Sequence, residues 1–203
     1  MKDFGVENFY INTEFFCRAS DSAALFSRLK DMPSKTYKIS DKKIVEIIQQ
    51  EGVGVIPTDT LYGLVGSAFS KKAVGRIYQI KKRNFKKPFI ILISGIDDLA
   101  KFEIKPDDFS RKFLEKNWPG SVSVILPCPQ KKFAYLHRGM KSLAFRLPKK
   151  VSLLQLIQKT GPLVAPSANP EGLVPAKNIR QARKYFGDGA DFYLDGGKLE
   201  SEP

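Results

Sequence analysis

The sequence predicts an α/β or α+β fold, one sheet with helices packed on it, and three observations carry that reading. Helical and strand-like segments alternate along most of the chain. The strand-like runs are short and apolar, as in Phe89-Ile90-Ile91-Leu92-Ile93, a pattern expected of strands buried on both faces. The connections between them vary in length and are rich in proline, which fits this class better than a regular doubly wound sheet.

Taken in order, residues 1–36 read as an N-terminal extension of unknown role. Phe4, Phe9, Tyr10, Phe15 and Phe16 show no clear period, 22–30 has the makings of a short helix, and Pro33-Ser34-Lys35 resembles a linker. The main domain, 37–203, opens near Ser40, where Ser40 or Asp41 can cap a helix whose apolar face is Ile44, Val45, Ile47 and Ile48 and which Gly52 ends. Val53, Val55 and Ile56, β-branched and bounded by Gly52 and Pro57, form a buried strand. A polar loop follows, then a helix over 73–82 with Val74, Ile77 and Ile80 on one side. The apolar run 89–93 is the next strand, and 97–102 and 107–117 read as helices. Strands at 122–126, 143–147, 163–165 and 192–194 alternate with helices at 153–159 and 178–186. The sequence shows neither an internal repeat nor a low-complexity segment.

Composition bounds the function. At 203 residues the chain is long enough to bury a full core, and 42% hydrophobic with 27% charged residues is the balance of a globular protein. A net charge of +13 makes a polyanion plausible as substrate or partner, although a solvated lysine-rich surface gives the same number. Cys17 and Cys128 are too far apart to suggest a disulfide framework or a zinc site. The single histidine, His137, excludes any two-histidine site and reads as an exposed loop residue. No Walker A loop and no Gly-x-Gly-x-x-Gly is present, so a nucleotide site has to be built another way. No signal-peptide run or membrane-length apolar stretch occurs, and the expected compartment is the cytoplasm.

Four places carry candidate chemistry. After the strand ending at Pro57 come Thr58, Asp59, Thr60 and Tyr62, closed by Gly63, either an ordinary turn or ligand-binding groups at a sheet's end. Lys81, Lys82, Arg83, Lys86 and Lys87 lie between a helix and a buried strand. The helix dipole accounts for some of these cations, and a triphosphate would use the same planar fork and point charges. In Ser167-Ala168-Asn169, a hydroxyl and an amide share one side of an extended segment, as loop formers or as readers of ribose, phosphate or carboxylate. Ser142 and Arg146 share one face of their strand, and the arginine needs an anion, from a structural carboxylate or from a substrate.

Together these pieces resemble the YrdC-like family. Ile56-Pro57-Thr58-Asp59-Thr60-Leu61-Tyr62-Gly63-Leu64, Lys81-x-Arg83 with Lys87-Pro88, Trp118-Pro119-Gly120, Phe145-Arg146-Leu147-Pro148 and Ala165-Pro166-Ser167-Ala168-Asn169 follow the family's order from about residue 40 to 197. The resemblance implies a twisted mixed sheet with flanking helices and a basic concave face. It implies an enzyme that condenses L-threonine, bicarbonate and ATP into threonylcarbamoyl-AMP and pyrophosphate, with Mg²⁺ carried by the nucleotide. Other proteins then transfer the threonylcarbamoyl group to adenosine 37 of tRNA. By similarity Lys81 and Arg83 are the catalytic cations, Thr58, Thr60, Arg146 and Ser167 hold threonine, and Arg83, Lys87, Ser142 and Asn169 hold ATP. The alternative is a protein of the same fold that binds double-stranded RNA or tRNA without making the adenylate.

The sequence departs from the family pattern in three places. Leu92 stands where many relatives carry a histidine that touches threonine, and Lys149-Lys150 follows Pro148 where Pro-x-His is frequent. Relatives continue past Asp195-Gly196-Gly197 with a Ser-Thr-Val-like segment that lines the site. This sequence ends at Pro203, so the expectation is a domain without that segment or cut just before it.

Overall fold

Why the strands look apolar on both sides becomes clear from the two cores that they separate. A computed structural model describes residues 42–199. The N-terminal extension, its helix at 22–30, Cys17 and the cap residues Ser40 and Asp41 lie outside the described residues. Seven strands, β1 Gly54–Pro57, β2 Tyr62–Ser67, β3 Ile90–Leu92, β4 Val124–Pro127, β5 Ser142–Arg146, β6 Leu163–Val164 and β7 Phe192–Tyr193, form one sheet in the order β4-β5-β3-β6-β2-β1-β7. The pairs β3–β5 and β1–β7 are parallel and the others antiparallel, so the sheet is mixed, as expected.

Successive residues of a strand point to opposite faces. Val55, Leu64, Ile91 and Phe145 therefore join one core with Ala73, Val74, Ile77 and Tyr78 of helix α2 (Lys71–Lys81) and Leu114 of α3 (Asp108–Asn117). Ile56, Val65 and Leu92 join the other, with Ile44 and Ile48 of α1 (Lys42–Gln49) and Leu153, Leu156 and Ile157 of α5 (Val151–Thr160). Side-chain caps start three of the helices: Ser70 accepts from Ala73 N–H, Asp107 from Ser110 N–H, and Asn178 from Gln181 N–H before α6 (Ile179–Phe186). The segment 97–102, expected as a helix, lies in the 3₁₀ helix Ile96–Phe102.

Two sequence expectations change. The polar loop after Pro57 is shorter than it reads, because Tyr62 already opens β2, a strand with no sequence forecast. Its two glycines hide it, since glycine is depleted in strands. Gly66 is there for contact: a Cβ would meet Val53 Cγ1 at 3.1 Å, Ala73 Cβ at 3.2 Å and Ile77 Cδ1 at 3.3 Å, so α2 rests directly on the strand. His137 is not an exposed loop residue. It closes the short helix α4 (Ala134–His137) with 5% exposure, its Nδ1 accepting from Gly139 N–H at 3.1 Å. Phe133 and Leu136 pull this turn into the core. No helix among the described residues is long and apolar enough to cross a membrane.

Candidate functional site

The β1–β2 connection is a tight turn built by its first hydroxyl. Thr58 is buried, and its Oγ1 accepts from the N–H groups of Thr60 and Leu61 at 3.2 Å each while donating to Leu61 C=O at 2.6 Å. That hydroxyl is committed to the backbone. The turn lifts Asp59 and Thr60 to its tip, where both meet Arg146 at the end of β5.

Arg146 donates through Nη2 to the Asp59 carboxylate, and both Nη atoms lie 3.3–3.4 Å from Thr60 Oγ1. The structural carboxylate that the sequence left open is thus Asp59. Both side chains are nearly buried, at 11% and 13% exposure, so solvent screens their attraction weakly. Across the parallel pair Arg146 is in register with Leu92, which supplies an apolar neighbour on β3.

The second arm of the site is the segment after β6. Leu64 N–H donates to Pro166 C=O at 2.9 Å and Ala168 N–H to Tyr62 C=O at 2.7 Å, which ties the segment to β2. Ser167 Oγ donates to Asn169 Oδ1 at 2.6 Å. The Asn169 amide donates to the carbonyls of Pro170 and Leu173, at 3.1 and 2.6 Å, so this side chain is fully engaged inside its own loop. Ser167 and Asn169 do share a side, as the two-residue period suggests.

Lys81 lies beneath that loop. It is 1% exposed, and its ammonium donates to Ser167 C=O and, at 2.5 Å, to Asn169 C=O. Burial pushes its pKa down to about 8, and the nearby Arg83 charge adds to the shift. Lys82 ends α2 in the left-handed conformation, with φ of 50°, and Arg83, which follows that turn, is half-buried. The Arg83 guanidinium sits over the Phe89 ring, 5.5 Å from its centroid, while Lys87 pairs with Glu171.

These elements enclose a cavity of about 430 Å³. Thr58, Thr60, Arg83, Arg146 and Ser167 all line it, although they come from four separate stretches of chain. Pro88, Phe89, Ile90, Leu92, Ala165 and Pro166 form its apolar wall. Four other sequence candidates do not line it: Lys81 and Asn169 lie behind the Ser167 loop, Lys87 is held by Glu171, and Ser142 sits at the opposite end of β5 from Arg146. Ser121 lines the cavity and is absent from the sequence candidates. The signal for it was the preceding Trp118-Pro119-Gly120, whose Gly120 N–H donates to Leu147 C=O at 2.8 Å and brings the loop beside Arg146.

Chemically, the cavity offers two guanidinium groups and several hydroxyls against an apolar wall, with no histidine or cysteine among the described residues that line it. That inventory suits anion binding, orientation and charge neutralisation, not covalent attack by the protein. Among the described residues, no three or more His, Cys, Asp or Glu side chains come together as a metal-binding group.

Comparison with known proteins adds a family context. The family model of the Sua5, YciO and YrdC proteins, described as telomere recombination, matches residues 46–203. The threonylcarbamoyl-AMP synthase of Hahella chejuensis is 31% identical over 157 residues, 76% of this chain and 85% of that protein. That of Coxiella burnetii is 31% identical over 169 residues, 81% of this chain and 88% of that one. Among solved structures, P. abyssi Sua5 complexed with L-threonine matches with a TM-score of 0.72 and 26% identity over 77% of this chain. The chain spans 46% of that protein's length.

Proposed function

The chain belongs to the Sua5/YciO/YrdC family, and on that premise we infer that it is a threonylcarbamoyl-AMP synthase, a nucleotidyltransferase that makes an AMP adduct from ATP. The observation that carries this reading is the convergence of Arg83, Thr60, Arg146 and Ser167 on one cavity. Relatives of similar length bear the same activity in their names.

In this reading L-threonine lies against the β1–β2 turn, its carboxylate at Arg146 and Thr60 and its remaining polar groups toward Ser167. The backbone turn that Thr58 holds fixes Thr60 in place. ATP enters along the Arg83–Lys87 side, where a guanidinium and an ammonium neutralise its phosphates. The free amine of threonine attacks bicarbonate, giving the carbamate and releasing water. A carbamate oxygen then attacks the α-phosphorus as the bond to the bridging oxygen breaks, and pyrophosphate leaves with that electron pair. Both steps need alignment and stabilisation of negative charge, which the two arginines supply without a protein nucleophile. Mg²⁺ accompanies the nucleotide as part of the substrate. The product is consumed by separate proteins that pass the threonylcarbamoyl group to adenosine 37 of tRNA.

The rival reading, an RNA-binding protein without synthase activity, rests on the net charge of +13. The named relatives favour the synthase. The test is mass spectrometry of the purified protein incubated with ATP, bicarbonate and L-threonine. Threonylcarbamoyl-AMP formed only when all three are present supports the reading, and its absence from a folded sample rejects it.

A further inference from the structure

The segment after α2 carries Lys82, Arg83, Lys86 and Lys87, and a single carboxylate from another part of the chain reaches into it among the described residues. Glu171 Oε1 accepts from Lys87 Nζ at 2.5 Å, and its Oε2 accepts from Asn84 N–H at 2.7 Å. The Glu171 backbone N–H donates to Lys81 C=O at 2.8 Å, so the loop bearing Ser167 and Asn169 also delivers this carboxylate. The Lys87 bond, the Asn84 bond and the Arg83 charge hold its carboxyl below the usual range, and it stays ionised at any pH that suits a nucleotide. The Lys87 side chain is 58% exposed. An ion pair in that setting is screened and opens readily.

We propose that Glu171 sets the affinity of the nucleotide site by competing with a phosphate for Lys87. This rests on the reading that the Arg83–Lys87 side receives ATP. An incoming polyphosphate carries several charges against the single one of Glu171, so it displaces the carboxylate from Lys87. The carboxylate closes again on the lysine as pyrophosphate departs. Glu171 thereby limits how tightly both nucleotide and pyrophosphate are held, and it favours product release. A pair that merely braced two loops has the opposite signature: losing it would loosen the cationic segment and weaken phosphate binding.

The test uses inorganic pyrophosphate as the probe, titrated calorimetrically into the full chain. Glu171→Gln keeps an oxygen for Asn84 N–H while removing the charge. The expected result is pyrophosphate binding about two- to fivefold tighter than wild type, the scale of one exposed ion pair, with a steeper dependence on salt. Lys87→Ala should weaken binding, and in that background Glu171→Gln should give less of a gain. In turnover, Glu171→Gln should lower the KM for ATP and leave the KM for threonine unchanged. Equal or weaker pyrophosphate binding by Glu171→Gln overturns the proposal, as does a gain of the same size without Lys87. The binding arm needs no turnover. Tighter pyrophosphate binding in a protein that makes no adenylate would therefore reject the synthase reading and leave the competitor role standing.

Discussion

The Asp59 carboxylate closes on the Arg146 guanidinium at the cavity wall, with 13% and 11% of the two side chains exposed. This pair differs from Lys87–Glu171 in burial, and burial decides its role. A screened, exposed partner competes with substrate, whereas a buried partner fixes the direction of the cation. Asp59→Asn should therefore raise the KM for threonine while leaving that for ATP near wild type. It should also lower stability by about 1.5–3 kcal/mol, the scale of a hydrogen bond to a charged group. Steady-state kinetics and urea denaturation check both. An unchanged KM for threonine would remove Asp59 from the site.

Arg83 lines the cavity and has no carboxylate partner among the ion pairs of the described residues. In the synthase reading that charge serves the phosphates. Arg83→Ala should reduce kcat/KM at least roughly a hundredfold, the scale of losing one preorganised charge contact. Circular dichroism should show an intact fold, since the guanidinium packs on the Phe89 ring and makes one long bond, 3.4 Å from Nε to Lys87 C=O. Near-wild-type turnover would reassign the phosphate site.

Lys81 gives the pH dependence. Its ammonium holds Ser167 C=O and Asn169 C=O, and burial lowers its pKa to about 8 from the ordinary 10.5. Above about pH 8 the folded protein loses this proton, the two carbonyls keep only a neutral and weaker donor, and turnover should fall on the alkaline side. The stability contribution has the opposite sign. Between about pH 8 and 10.5 the unfolded chain binds the extra proton and the folded chain does not, so this group favours folding more as pH rises through that window. A pH–rate profile with a limb near 8, alongside melting that shows no loss from this group, fits the account. In Lys81→Met that limb should be absent and turnover low throughout.

Gly66 tests the packing of α2 on β2. A methyl group there meets three side chains at 3.1–3.3 Å, so Gly66→Ala overpacks a core that has no slack on that side. The expected loss is about 1–3 kcal/mol by chemical denaturation. A wild-type midpoint would mean that α2 can move away from the sheet without penalty.

Much of this fold is legible in the residue pattern because β-branched runs such as Val53 to Ile56 and 89–93 have no other use for their composition. The strand β2 is not legible, since Gly63 and Gly66 serve close contacts that a single sequence does not display. The site shows the same division. Thr60, Arg83 and Ser167 sit in polar stretches beside buried strands, Arg146 is a cation within an otherwise apolar strand, and the four do meet in one cavity. Ser142 shares a face with Arg146, but four residues of strand separate them by about 13 Å, so period two gives direction and not proximity. Lys81 looks solvated in sequence because lysine nearly always is, and only the fold buries it under a loop of carbonyls.

If this cavity joins threonine to ATP, pyrophosphate release must depend on threonine. Purified protein with ATP and bicarbonate should release pyrophosphate only on addition of L-threonine, and Arg146→Ala should abolish that threonine-dependent release. Release that ignores threonine, or none from a folded and nucleotide-binding sample, would contradict the account.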